Sequence, residues 1–302
     1  MANNPENKKT SAKKKSSSST RKKKGKYTKK MRQPNYLLPA LSGLALVCLL
    51  VALISWMGGT FSPEPTEVTQ PTQPRETLPP NPFTASDFGY NAQGYLTGTS
   101  TPLEMGIDVS DHQGWIDWQQ VAGSGVSFAF IRIGYRGYSE GGLFTDEYAH
   151  YNLTAAKDAG LQVGAYFYSQ ALDEEEAAQE AAFCIDFLKK YEIDLPVVFD
   201  WEYVSQEART GAMDGQTLTR CAQTFCQAIG DAGYEAMVYF NSHLANDYYD
   251  LLQLRQYPFW LAMYTAVMDY PHRVDYWQYT DQGTLPGIDT TVDINLKLSS
   301  GW

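Results

Sequence analysis

Beyond residue 102 the chain alternates between two hydrophobic rhythms. Short β-branched and aromatic runs with period two read as strands, and longer stretches with apolar positions every three or four residues read as amphipathic helices. Strand runs fall at residues 105–109, 128–133, 162–168, 196–202, 236–241, 259–264, 276–279 and 291–296. Helical patterns fill the early gaps, at residues 115–123, 146–159, 173–190 and 217–232. The third helix is the best bounded. Asp173 stands as its N-cap, Glu174, Glu175 and Glu176 occupy its first turn, and Lys189 and Lys190 its last, as the helix dipole favours. Asp158-Ala159-Gly160 and Asp231-Ala232-Gly233 read as helix ends returning to strands. Eight strands with interleaved helices in about 200 residues predict a parallel α/β barrel. Its helices shorten or vanish after the fifth strand, so the barrel is expected to be irregular.

The first hundred residues follow other rules. Residues 1–36 hold thirteen of the 24 Lys and Arg but one of the 34 acids, which leaves 11 basic and 33 acidic residues beyond them. The net charge of −10 thus hides a basic tail and a strongly acidic remainder. A Ser-rich basic tract without apolar periodicity cannot offset its ordering entropy and is expected to be disordered. Residues 37–57, LLPALSGLALVCLLVALISWM, form an uncharged run of 21 residues. A bilayer core needs about 20 as a helix. The preceding charge places the tail in the cytoplasm and the remainder outside. The run's length and the Trp56 that closes it favour an uncleaved anchor over a signal peptide, whose apolar region is shorter and ends at a small-x-small site. A basic tail before such a run suits an anionic inner leaflet, so no nucleic-acid partner is expected. Residues 58–101, with PEPTEVTQPTQP and LPPNP, read as a semi-rigid extracellular spacer, its last part able to pack on the edge of a domain at 102–302. Cys184, Cys221 and Cys226 lie on two predicted helices. They read equally as a disulfide pair with one left over or as buried small hydrophobes.

Candidate chemistry gathers where a barrel puts it, at the C-terminal ends of the strands. The fourth strand ends in Asp200-Trp201-Glu202, so both carboxylates share one face, with Cα atoms about 6.5–7 Å apart, and Trp201 points away. Mutual repulsion raises the proton affinity of one and leaves the other ionised, the division of labour that glycosidic cleavage uses. Asp108 ends the first strand and Asp293 lies at the last. Tyr166, Tyr168, Tyr239, Trp260, Tyr264 and Gln278 sit on strands or strand ends around them. An acidic floor ringed by aromatic faces suits a sugar, whose C–H faces stack on rings while its hydroxyls bond carboxylates and amides. The four histidines show no zinc spacing, and neither a G-x-S-x-G elbow nor a phosphate loop is present, so no metal and no cofactor are expected.

The motifs Met105-Gly106-Ile107-Asp108-Val109-Ser110, His112-Gln113-Gly114 and Ile116-Asp117-Trp118 resemble the opening of glycoside hydrolase family 25, the Chalaropsis-type lysozymes. Phe130-Ile131-Arg132-Ile133-Gly134-Tyr135, Gly164-Ala165-Tyr166-Phe167-Tyr168-Ser169, the Asp200-x-Glu202 pair, Trp277-Gln278-Tyr279, Pro286-Gly287-Ile288 and Val292-Asp293 follow in the family's order. The resemblance runs from about residue 103 to 302. It implies a TIM-like irregular barrel of five β/α units and three further strands, here preceded by one transmembrane helix. It implies N-acetylmuramidase activity on peptidoglycan glycan strands, with Glu202 as general acid and Asp200, Asp108 and Asp293 completing the site. Arg132, within one of these motifs, joins the aromatic residues and Gln278 as a substrate-binding candidate. Phe167 stands where many members have His and is expected to face away from the cleft. Asp200 either stabilises an oxocarbenium-like charge or orients a substrate acetamido group. A catalytically silent wall-binding module and a chitinase-like glycosidase are the alternatives.

Overall fold

A computed structural model describes residues 76–298 of the chain. The basic tail, the apolar run and the first part of the spacer lie outside the described residues. Among the described residues no helix is long and apolar enough to cross a membrane.

A short hairpin, β1 (Phe88–Tyr90) and β2 (Leu96–Gly98), precedes the barrel. Five strand–helix units follow: β3 (Glu104–Val109) and α1 (Trp118–Gly123); β4 (Val126–Arg136), its appended strand β5 (Leu143–Thr145) and α2 (Ala149–Asp158); β6 (Gln162–Ser169) and α3 (Glu174–Leu188); β7 (Val197–Trp201) and α4 (Gly215–Asp231); β8 (Ala236–Asn241) and α5 (Ser242–Asp247). Three strands without full helices complete the chain: β9 (Phe259–Ala262), β10 (Tyr276–Gly283) and β11 (Val292–Lys297). The sheet order β3-β11-β10-β9-β8-β7-β6-β4 closes through β3–β4 pairing, giving an eight-stranded barrel.

The barrel is mixed rather than parallel throughout. β11 runs antiparallel to both β10 and β3. A parallel return needs a crossover of a dozen or more residues, and residues 284–291 are too few. Three helix starts also differ from the pattern's reading: α4 begins at Gly215, behind its Asp214 cap, and two others depart further. α2 begins at Ala149 because the Asp146 carboxylate binds Arg132 and the backbone N–H groups of Asp111 and Tyr148. α1 begins at Trp118 because Asp117 caps it, accepting from the Gln120 N–H at 3.2 Å.

Period two sorts the side chains between two cores. Phe128, Phe130, Val198, Met237, Tyr239 and Trp260 fill the barrel interior. Their strand neighbours Ala129, Ile131, Phe199, Trp201, Val238 and Phe240 face the helices. α4 answers with one stripe, Leu218, Cys221, Ala222, Phe225, Cys226 and Ile229, at helical spacing. The glycines of β3 and β6 make room inside. A Cβ on Gly106 would stand 2.2 Å from the Phe128 ring, and one on Gly164 would stand 2.5 Å from Phe130. Cys184, Cys221 and Cys226 are buried and free, so they serve as small apolar residues.

From Leu78 onward, residues that composition places in the spacer lie on the barrel. Leu78 and Phe83 pack against the outer core. The Asn81 side chain donates to the Tyr270 carbonyl at 2.9 Å, and the Phe88 ring meets Trp277 edge-on at 5.1 Å.

Candidate active site

A cleft of about 690 Å³ opens at the C-terminal ends of the barrel strands. All eleven sequence-nominated residues line it: Asp108, Arg132, Tyr166, Tyr168, Asp200, Glu202, Tyr239, Trp260, Tyr264, Gln278 and Asp293. Phe167, by contrast, is fully buried on the helix side, as its strand phase demands.

Closure of the sheet builds the floor. The antiparallel register sets Asp293 of β11 directly beside Asp108 of β3. Gln278 Nε2 donates to Asp108 Oδ2 at 2.9 Å and to Asp293 Oδ2 at 3.0 Å. Its Oε1 accepts from the Tyr239 and Tyr264 hydroxyls at 2.9 and 3.0 Å. A carboxylate needs a donor and a phenol an acceptor, so these partners fix the orientation of the amide. Asn295, two residues after Asp293 and on the same strand face, donates to Asp108 Oδ2 at 2.7 Å and is itself held by Trp260 Nε1 at 2.8 Å.

Four carboxyl groups in one buried mouth all bind protons more tightly than usual. Burial drives Asp293 upward, with Asp108's charge adding to it. Asp108 is raised by burial, against the hydrogen bonds that Asn295 and Gln278 donate to it. Asp200 is raised well above the ordinary range by burial, then by the charges of Glu202 and Asp108. Its Oδ1 is buried without a hydrogen-bond partner among the described residues. Glu202, just past the end of β7 and half-buried, is raised by burial, then by the charge of Asp108. The strain of carrying charge therefore falls on Asp200 more than on Glu202, which differs from a simple one-up, one-down division.

Arg132 is the cation that opposes Asp200, yet its guanidinium is already engaged. It donates to Asp146 Oδ2 at 2.8 Å and Asp111 Oδ1 at 2.6 Å and lies over the Tyr135 ring. Within the cleft it lines one wall and offsets negative charge beside Asp200. Among the described residues no group of three or more His, Cys, Asp or Glu is placed to hold a metal ion.

The cleft also includes residues beyond these eleven. Ser110, Asp111, His112 and Gln113 form a tight turn after β3. Tyr135 and Arg136 end β4, Gly137 and Tyr138 follow it, and Val204 lies in the segment after Glu202. Ser110, Asp111, His112 and Gln113 had a readable signal, their place just after the first strand's end, and so did Asn295 in the floor, two residues from Asp293. Tyr138 and Val204 depend on loop paths.

Residues 107–288 match the sequence profile of Glycosyl hydrolases family 25. The chain belongs to this family. The barrel is accordingly a glycoside hydrolase domain. It is 29% identical over 210 residues to the Escherichia coli protein YegX, spanning 63% of this chain and 68% of that one. It is 26% identical to an autolytic lysozyme of Clostridium acetobutylicum over 63% of this chain and 54% of the relative. The modular autolysin LytC of Streptococcus pneumoniae superposes with a TM-score of 0.57 at 25% identity, covering 73% of this chain and 52% of that structure. The chain thus spans about half the length of the two autolytic proteins.

Proposed function

We propose that the barrel domain is a muramidase, hydrolysing the β-1,4 bond between N-acetylmuramic acid and N-acetylglucosamine in peptidoglycan. Family membership and likeness to lysozymes support the substrate class. The observation that carries the mechanism is the Asp200–Glu202 pair, one carboxyl half-buried at the lip and the other buried with an unpartnered oxygen.

Glu202 donates its proton to the glycosidic oxygen, and the leaving sugar departs as an alcohol. Asp200 Oδ1 accepts the N–H of the substrate's acetamido group. That bond turns the acetamido carbonyl oxygen onto the anomeric carbon to form an oxazolinium ion, whose positive charge the carboxylate balances. Water, giving its proton to Glu202, then attacks the anomeric carbon and breaks the acetamido C–O bond, restoring the acetamido group and the acid. Substrate assistance of this kind is a recognised departure from the two-carboxylate scheme. It also accounts for the proton inventory. A bound N–H donor stabilises ionised Asp200, which leaves Glu202 the group that holds the exchangeable proton. Asp108, Asp293, Gln278 and Asn295 form the floor on which the pair acts, and Tyr166, Tyr168, Tyr239, Trp260 and Tyr264 offer ring faces and hydroxyls to the sugars.

A silent binding module is disfavoured because four clustered, desolvated carboxyls cost stability that binding alone does not recover. Release of reducing ends from peptidoglycan and from chitin, measured side by side, tests the reading. Peptidoglycan is cleaved, chitin is spared, and Glu202→Gln loses about 10²–10⁴-fold in rate while keeping the wild-type circular dichroism. Cleavage of chitin alone, or a tenth of wild-type turnover in the variant, overturns the assignment. Residues 1–57 serve in this reading as a cytoplasmic tail and membrane anchor that hold the enzyme at the outer face of the cell.

A further inference from the structure

Glu202 stands beyond the sheet that delivers it. The ladder of β7 ends with Trp201 opposite Ser169 on one side and Asp200 opposite Tyr239 on the other. The next residue has no strand neighbour to fix its backbone. One side chain does so instead. Gln170, fully buried, donates from Nε2 to the Glu202 carbonyl at 2.8 Å and to the Ser169 carbonyl at 3.0 Å. Its Oε1 accepts from the Thr210 hydroxyl at 2.7 Å, and Thr210 is itself 1% exposed. Two carbonyls face the nitrogen and a hydroxyl faces the oxygen, so only an amide satisfies every partner. The Gln170 carbonyl in turn accepts from Arg209 Nη1 at 2.7 Å. Arg209 also pairs with Glu176 on α3, and its backbone N–H donates to the Tyr138 carbonyl at 3.1 Å. The chain after β6, the chain after β7 and residues 209–210 are thereby tied at one point.

We infer that Gln170 is a positioning residue for the acid Glu202, a side-chain substitute for the missing rung of the ladder, with Thr210 holding its amide in register. This rests on Glu202 being the acid of the reaction. A carboxyl that must reach a glycosidic oxygen is sensitive to small displacements, and about 1 Å can cost about 10²-fold in rate. The groups that face Glu202 are Asp108, Asp200 and Asp293 with the hydroxyls of Tyr168, Tyr239 and Tyr264. None of these is altered by changing Gln170. Released from its tether, Glu202 moves toward water and loses part of the burial that raises its proton affinity. The alkaline limb of the pH–rate profile therefore moves to lower pH.

The test uses the full chain and peptidoglycan. Gln170→Leu is expected to lower kcat about 10- to 100-fold with KM within about twofold, and to move the alkaline limb of kcat/KM toward acid. Thr210→Val moves both in the same direction by less, and Thr210→Ser, which keeps the hydroxyl, restores them. A folded Gln170→Leu protein with wild-type kcat and limb overturns the inference. If that variant does not fold, the Thr210 pair decides. Thr210→Val with unchanged kcat and limb, or Thr210→Ser as impaired as the valine, overturns it equally. An active Glu202→Gln protein instead removes the acid assignment, an outcome distinct from a failed clamp.

Discussion

Asp200→Asn should make the protein more stable while disabling it. The Asp200 side chain is 5% exposed, one oxygen lacks a partner, and Glu202 and Asp108 add negative charge beside it. Its proton affinity in the fold is raised well above the ordinary aspartate value, so the folded state holds the proton more tightly than the unfolded chain. Below the unfolded value both states are protonated and the group costs nothing. As pH rises from there toward the folded value, the unfolded chain ionises first and gains. Stability present at low pH is thus lost as pH climbs. An amide of the same shape carries no charge and escapes this loss. Ionising a buried group that lacks a partner costs on the order of 1–3 kcal/mol, which a neutral amide avoids. For a domain of this size that is a rise in Tm of roughly 2–10 °C. Thermal unfolding of wild type and variant, at pH 8 and at pH 4, checks the sign and the slope. The gain should be large at pH 8 and shrink toward zero at pH 4, while cleavage of peptidoglycan falls about 10²–10³-fold. A variant no more stable than wild type at pH 8, or a gain equal at both pH values, would refute the account of Asp200 as a strained buried acid.

Gln278→Leu acts in the opposite sense. It removes the donor shared by Asp108 and Asp293 and leaves the buried Tyr239 hydroxyl without its amide acceptor. A loss of about 2–4 kcal/mol in denaturant unfolding, together with loss of cleavage, is expected. Full stability in that variant would mean the amide is not the hub of the floor. For the anchor, protease added to wall-less cells should cut in the Pro/Thr-rich segment and release the barrel, leaving a stub in the membrane fraction. A secreted form beginning just after Trp56 would instead identify residues 37–57 as a signal peptide.

The positions of the strands along the chain, the barrel class and the placement of Asp108, Asp200 and Glu202 at strand ends were readable from residue spacing. A strand's alternation and a helix's stripe are set by local backbone geometry, so near neighbours in the chain are enough to reveal them. Asp200 and Glu202 share a face whatever surrounds them, and Phe167 turns outward for the same reason. The pairing of Asp108 with Asp293 is different. It requires that β11 run antiparallel and close the barrel on β3, a choice made by a short connection and by registers between residues far apart in the chain. Gln278 offers no local sign that one face of its amide will bind two carboxyls and the other two phenols. Gln170 and Tyr138 matter because of where loops pass, and loop paths carry no periodicity. Protonation is decided last of all. Two acids on one strand announce repulsion, but which of them bears the burden depends on burial, and burial exists only once the barrel has excluded water from Asp200 and left Glu202 at the lip.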